Sequence, residues 1–325
     1  MIKPNDFDFH FKPDSHWQWV ETIYLAFNVP EANLNGGVYI LTRPMLGVCM
    51  CDVTVNDRIS FLWEDQAYVD NQQHLPCPKS MSDFALPNGV SFKVIEPLKH
   101  YHLTYQGIDD TRFDLEYFSL HEPYDINDPA IDPMAAKRQS HHDEAWDSSW
   151  SGHYDMKYRV KGEIVVRGNR HKVDCLDAGD RSWGPRVERD NSSVLYLGAG
   201  FEGDFAVHLF TGHDIATTAR MGPHISGFIL ENGKTYGITD SRGRQEYSKA
   251  VPMGGEFEVT DVRGKTFSFT QSAVNSSHWA PYPSNTYLQT LMRVNHGGKI
   301  GYGFQQMGLS RAYLTRHRDA ILSRY

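Results

Sequence analysis

The densest run of reactive side chains is Asp177-Ala178-Gly179-Asp180-Arg181-Ser182-Trp183-Gly184-Pro185-Arg186, with two carboxylates, two guanidinium groups and an indole. Gly179 and Gly184 permit backbone angles closed to other residues, and Pro185 fixes another. The segment is therefore expected to be a turn between a strand ending at Leu176 and one starting near Val194, holding an acid, an aromatic ring and a cation in one cluster. Two opposite chemistries suit such a cluster. A carboxylic acid in an apolar pocket stays protonated, because burial disfavours its charged form, and can then protonate an alkene. An aromatic face stabilises the resulting cation by about 0.5–2 kcal/mol. Asp180 and Trp183 are the candidate pair, with Tyr24 or Tyr196 as further aromatic faces. If Arg186 instead lies within about 4–6 Å of Asp180, the carboxyl pKa falls and Asp180 becomes a base suited to an isomerase or a lyase. A purely architectural reading stands beside both: Asp180, Arg181 and Arg186 as a buried ion-pair network, with Trp183 plugging a core.

Other residues join the candidate list on weaker grounds. Glu21 interrupts the apolar run Val20 to Phe27, so it is either salt-bridged to a motif arginine or a catalytic carboxylate. His208 sits in Phe205-Ala206-Val207-His208-Leu209-Phe210 and is either a satisfied core histidine or a proton shuttle. Trp279 belongs to the aromatic, proline-rich segment Ser277 to Pro283, which suits a rim over a ligand mouth or an exposed connection. His100 and His102 share a strand face at metal-chelating spacing, but no third ligand is evident and no metal is expected. His141-His142-Asp143-Glu144 reads as solvated surface.

Strands must position these groups. Short alternating runs separated by turn residues recur from Val38 to Leu120 and again from Tyr154 to Gln306, close enough together to be antiparallel hairpins. Aromatic residues make up 13% of the chain, which favours a β-sandwich or barrel over a helical fold. Between His121 and Gly152 the period is lost, giving a long connection with room for a short helix near Met134 to Gln139. Only the tail from Ser310 to Tyr325 has a helical pattern.

The bulk composition excludes several classes. With 32 basic and 40 acidic residues the formal net charge is −8, opposite to a nucleic-acid surface and unsuited to an anionic membrane. No apolar stretch approaches the ~18 residues of a membrane span, and Met1 to Asp6 shows no signal-peptide run. Cys49, Cys51, Cys77 and Cys175 are too few and scattered for a disulfide framework, so a cytoplasmic location is expected. Glycine-rich nucleotide cradles and serine-hydrolase elbows are missing, so no cofactor is expected and any catalysis falls to acid–base groups.

The motif Asp180-Arg181-Ser182-Trp183-Gly184-Pro185-Arg186, preceded by Gly152-His153-Tyr154 and Gly162, resembles the two-domain lipocalin-like family of carotenoid 1,2-hydratase. That group includes hydroxyneurosporene synthase, kievitone hydratase, tocopherol cyclase and fungal Diels–Alderases. The nearest likeness is to a bacterial branch with an Asp-(His/Arg)-Ser-Trp-Gly-x-Arg signature. Glu21 to Phe27, Gly36-Gly37 and Arg43-Pro44-x-x-Gly47 fit the same branch. The resemblance implies two calycin-like barrels side by side with the ligand between or inside them.

At 325 residues the chain is about twice the usual domain length. It is expected to be all-β: a lipocalin-like barrel over 1–178, with a long loop at about 121–152, and a second over 179–325 ending in a short helix. The leading function is a cofactor-independent hydratase/dehydratase, isomerase or cyclase acting on an apolar terpenoid-, steroid- or aromatic-type molecule. Asp180 would be the acid or base, Trp183 the cation-stabilising or stacking ring, and Arg186 the group that orients the carboxylate. The alternatives are a non-catalytic binder or carrier of the same kind of molecule, and an interaction module with no small-molecule site. The expected partner is that molecule, a homodimer is compatible with the composition, and neither nucleic acid nor membrane insertion is expected.

Overall fold

In the computed structural model, residues 1–60, 62–140, 150–186, 193–216 and 218–323 are described. The chain folds into two β-rich halves. The first contains β1 (Trp19–Val29), β2 (Leu34–Arg43), β3 (Val48–Asn56), β4 (Tyr68–Pro76), β5 (Asp83–Ala85) and β6 (Val90–Glu96). It continues with β7 (His100–Gln106), β8 (Arg112–Ser119), β9 (Tyr124–Asp125), the short helix α1 (Ala135–Ser140), β10 (Gly152–Val166) and β11 (Asn169–Pro185). These strands form one antiparallel sheet in the order β4-β3-β2-β1-β11-β10-β8-β7-β6-β5, with β9 beside β10. The sheet curls into a half-barrel around a core that includes Ile23, Phe27, Val38, Cys51, Leu103, Tyr117 and Met156. Its open side is stitched by side chains: the Tyr68 and Tyr105 hydroxyls lie 2.6 Å apart, and Tyr105 donates to Asp70 at 2.8 Å.

The second half contains β12 (Val194–Phe201), β13 (Phe205–His213), β14 (Met221–Glu231), β15 (Lys234–Ser248) and β16 (Val251–Asp261). Next come β17 (Thr266–Tyr282), β18 (Asn285–His296) and β19 (Lys299–Ser310). They close, in chain order, into an eight-stranded antiparallel barrel. Closure removes sheet edges and leaves an interior that side chains can fill. Leu195, Leu209, Ile229, Phe269, Met292 and Met307 line it. The tail forms α2 (Arg311–Arg316) and α3 (Arg318–Leu322). Ser310 caps α2 by accepting from the Tyr313 amide at 2.9 Å, and Ile321 is buried in the barrel core.

The all-β, two-part architecture matches expectation, with one half open and one closed. The expected division at 178/179 falls inside β11, which runs unbroken to Pro185 in the first sheet, whereas the closed barrel begins at Val194. The four cysteines are unpaired, and Cys49 and Cys51 pack together in the first core. His141 to Glu144 lie outside the described residues. No helix among the described residues is long and apolar enough to cross a membrane.

One face of the first sheet lies against the outside of the closed barrel. Val20, Tyr24, Tyr39, Leu41 and Met50 meet Trp279, Tyr282 and Tyr287 there, and Tyr124 and Ile126 meet Ala206, Phe228 and Leu230. This seam positions the candidate site.

Candidate active site in the seam between the halves

The motif around Asp180 is a strand, where the glycines and proline had suggested a turn. β11 is paired with β1 from Gly179, opposite Leu25, to Pro185, opposite Trp19, and on its other side with β10 as far as Trp183. Gly179 serves close packing inside the sheet, since a Cβ there would lie 2.5 Å from the Tyr24 carbonyl oxygen. Gly184 adopts φ 146°, which other residues avoid.

A strand alternates its side chains between faces, so Asp180 cannot share a face with Arg181 or Trp183. Trp183 belongs to the first core, stacked on His10 at 3.7 Å with 4° between the ring planes. Arg181 is 1% exposed and paired with Glu21, and it donates to the carbonyls of Phe7 (3.2 Å), Asp8 (3.0 Å), Thr22 (3.3 Å) and Ser182 (2.9 Å). Glu21 also accepts from the His10 and Phe11 amides at 2.7 and 2.9 Å and from the Trp19 indole at 3.1 Å. Glu21, Arg181 and Trp183 therefore pin the N-terminal segment to the core. The expected pairing of Trp183 with Asp180 is corrected by the strand period, and Glu21 is the salt-bridged residue of the two readings.

On the seam face, the register lines up one row of side chains across six strands. Asp52 on β3 stands opposite Tyr39 on β2, which stands opposite Tyr24 on β1. Tyr24 is opposite Asp180 on β11, Asp180 is opposite Asp155 on β10, and Asp155 is opposite Tyr124 on β9. Directly opposed residues have Cα atoms about 4.5–5.5 Å apart, so Asp180 and Asp155 are immediate neighbours.

Their environments differ sharply. Asp155 is buried, and one of its oxygens receives Tyr196 O–H and, at 3.1 Å, His153 Nε2, with His208 Nε2 3.4 Å away. Burial alone would raise its pKa, but His153 and His208 outweigh that and hold the carboxyl well below the usual range. His153 is correspondingly raised: burial opposes its charge, and Asp155 more than restores it. Asp180 makes no hydrogen bond or ion pair among the described residues. Burial, reinforced by the Asp155 charge, pushes its carboxyl up to about 6 against the opposing influence of His153, Arg186 and Arg181. It is only half-buried by accessible area. Desolvation nevertheless dominates its pKa, so the carboxyl is largely screened from bulk water. Two adjacent carboxyl groups with pKa values driven apart form an acid–base pair in outline.

Aromatic rings wall the row. Trp279 stacks on Tyr24 at 5.8 Å, meets Tyr39 edge-on at 5.1 Å and donates its indole N–H to Asp52 at 3.0 Å. Burial raises the Asp52 carboxyl to about 7. Gln289 donates to the Tyr24 hydroxyl at 2.7 Å, and Tyr196 lies edge-on to His208 at 4.7 Å. Arg186 donates to Tyr282 and Tyr39 hydroxyls, at 2.5 and 3.3 Å, and to Ser182 Oγ at 3.0 Å. It forms no ion pair with Asp180. It therefore fixes the tyrosine hydroxyls and leaves Asp180 unclamped, unlike the orienting role expected of it.

The structure thus gathers Asp180, His208, Tyr24, Tyr196, Trp279 and Arg186 at the seam and sends Glu21 and Trp183 to the opposite face. His153, Asp155, Lys157, Tyr39 and Tyr282 were missed. For the first three a signal existed: His153-x-Asp155-x-Lys157 alternates with Tyr154-x-Met156-x-Tyr158 at strand period, so one face is polar and the other apolar.

By structure, the chain is similar to kievitone hydratase from Nectria haematococca, with TM-score 0.55 and 12% identity over 90% of this chain and 88% of that one. It is also similar to CghA bound to Sch210972, with TM-score 0.53 and 12% identity over the same shares. An AttH-like protein from Nitrosomonas europaea matches with TM-score 0.54 and 14% identity, over 94% and 96% of the two chains. Identities this low establish the fold, and at that level the resemblance drawn from the central motif holds. Among curated proteins none matches by sequence. A family model covers residues 3–308, and the chain belongs to that family, DUF7064, a domain of unknown function.

Proposed function

We propose that this protein is a cofactor-independent acid–base enzyme, a lyase of the hydratase type or an isomerase or cyclase, acting on an apolar terpenoid-, steroid- or aromatic-type molecule in the seam. The observation that carries the reading is the Asp180 carboxyl: without a hydrogen bond among the described residues, raised to about 6, and set between an ionised Asp155 and the ring of Tyr24. A group with a pKa near the working pH both gives and takes protons. In hydration, protonated Asp180 gives its proton to an alkene carbon and the cation forms against Tyr24 and Trp279. Water then adds and returns a proton to Asp180, so alkene and water become an alcohol. The fixed negative charge of Asp155 favours the protonated form of Asp180 before the step. The similar kievitone hydratase is by name a hydratase, and the similar CghA is bound to Sch210972, which supports a small-molecule enzyme. Within the wider group we assign the chain to the bacterial branch carrying Asp-x-Ser-Trp-Gly-x-Arg, on Asp180 to Arg186.

Deuterium incorporation tests the reading. The protein is incubated in D2O with a panel of terpenoid, steroid and polycyclic aromatic compounds, while binding is followed by tryptophan fluorescence. Wild type is expected to place deuterium on carbon, and Asp180→Asn to bind equally but exchange at least ~10²-fold more slowly. Binding without any exchange in the wild type would establish a carrier. Equal exchange in Asp180→Asn would remove Asp180 from the chemistry.

A further inference from the structure

Two basic side chains of the seam carry no proton in the chemistry above. Lys157, two residues beyond Asp155 on the same face of β10, is 1% exposed. Among the described residues its ammonium makes no hydrogen bond or ion pair, and it lies 5.4 Å from the centre of the Phe304 ring. It occupies room that a glycine leaves open: a Cβ on Gly198 would stand 2.2 Å from Nζ. Gly198 is directly opposite His208 in the β12–β13 ladder. His208 is fully buried; its Nε2 lies 3.4 Å from Asp155, and neither ring nitrogen makes a hydrogen bond among the described residues. The amine and the imidazole are thus neighbours among Phe304, Tyr196 and Phe228.

A buried lysine kept only for charge balance should be paired, because an unpaired buried charge is costly. The two nearby carboxylates are committed elsewhere. Asp155 receives His153 and Tyr196, and Asp177 receives Asn28 Nδ2 at 2.6 Å and the Ala178 amide at 2.9 Å. Burial lowers the Lys157 amine to about 8, and burial likewise lowers His208. A desolvated amine beside a neutral base is the arrangement of a lysine nucleophile.

We propose that Lys157 Nζ forms an imine with an aldehyde or ketone group of the apolar molecule held in the seam, with His208 carrying the protons. The inference rests on the reading that the seam binds such a molecule, and not on the role of Asp180. The neutral amine adds to the carbonyl carbon, forming the C–N bond and leaving the electron pair on oxygen. His208 takes a proton from nitrogen and delivers it to that oxygen. The C–O bond then breaks, water leaves with the second amine proton, and amine plus carbonyl have become imine plus water.

Reductive trapping tests it. The full chain is incubated at pH 7 with propanal, cinnamaldehyde or citral and sodium cyanoborohydride, and adducts are mapped by peptide mass spectrometry. Lys157 is expected to be labelled at least ~10-fold faster than exposed lysines, whose amines are almost wholly protonated at that pH. His208→Phe should slow the Lys157 adduct by about 10-fold, and Lys157→Met should abolish it. Asp180→Asn should leave it intact, which separates this inference from the deuterium-exchange result. Labelling of Lys157 no faster than of exposed lysines by every aldehyde, judged on the wild type alone, would overturn the proposal.

Discussion

The two faces of β11 use the same kinds of residue for opposite ends. On the core face, Arg181 donates to four backbone carbonyls and the Glu21 carboxylate, and Glu21 in turn collects two amides and an indole. On the seam face, one residue away, Asp180 has no hydrogen-bond or ion-pair partner among the described residues. The saturated face spends its polar groups on holding the chain together. The unsaturated face keeps a carboxyl whose proton is free to move. Position in a conspicuous motif does not tell the two roles apart, but the state of the hydrogen bonds does.

Breaking each face should give a different signature. The largest effect is expected from Arg181→Met, which takes the guanidinium partner from the buried Glu21 and should cost about 3–5 kcal/mol in urea unfolding. A loss below about 1 kcal/mol would mean that the core face is not what pins the N-terminal segment.

Asp180→Asn should act in the other direction. A carboxyl raised to about 6 keeps its proton in the folded state between roughly pH 4 and 6, where the unfolded chain has already lost it. Wild-type stability therefore falls as pH rises through that window and stays lower above it. The asparagine variant escapes this loss and is expected to be more stable by on the order of 1–3 kcal/mol at pH 7.5, and no more stable at pH 4. Unfolding midpoints at the two pH values decide it, and a destabilised variant at pH 7.5 would place Asp180 among the structural residues.

Gly198→Ala gives the smallest expected change in stability, within about 1 kcal/mol, because the flexible end of Lys157 can yield to the new methyl while the strand loses a glycine. Its effect should appear in aldehyde labelling of Lys157, slowed several-fold by the displaced amine. Unchanged labelling would mean that Nζ does not depend on the space over Gly198.

Much of the fold was legible in the chain. Strand-length alternation and turn residues marked most of the strands but not β4 or β5, and the aromatic content pointed to a β architecture. The motif itself stood out, but its faces did not. Gly179, Gly184 and Pro185 carry a strong turn signature, and only the flanking β1 and β10 turn them into a strand that sets Asp180 and Trp183 apart. The tyrosine–carboxylate row was beyond local reading, since Asp52, Tyr39, Tyr24, Asp180 and Asp155 become neighbours only through register. His153, Asp155 and Lys157 could have been found from their period alone.

That row also sets a timetable for biosynthesis. Tyr24 and Asp180 are 180 − 24 = 156 positions apart, yet they are paired on adjacent strands. At elongation rates of ~5–20 residues per second, β1 emerges roughly 8–30 s before the strand that covers its free edge. Ten of its eleven residues end up buried, so for that interval a long, apolar, unpaired edge is exposed to other nascent chains. Until β11 arrives, β1 is the strand most open to pairing with another nascent chain, and aggregation under crowded expression is expected to begin there.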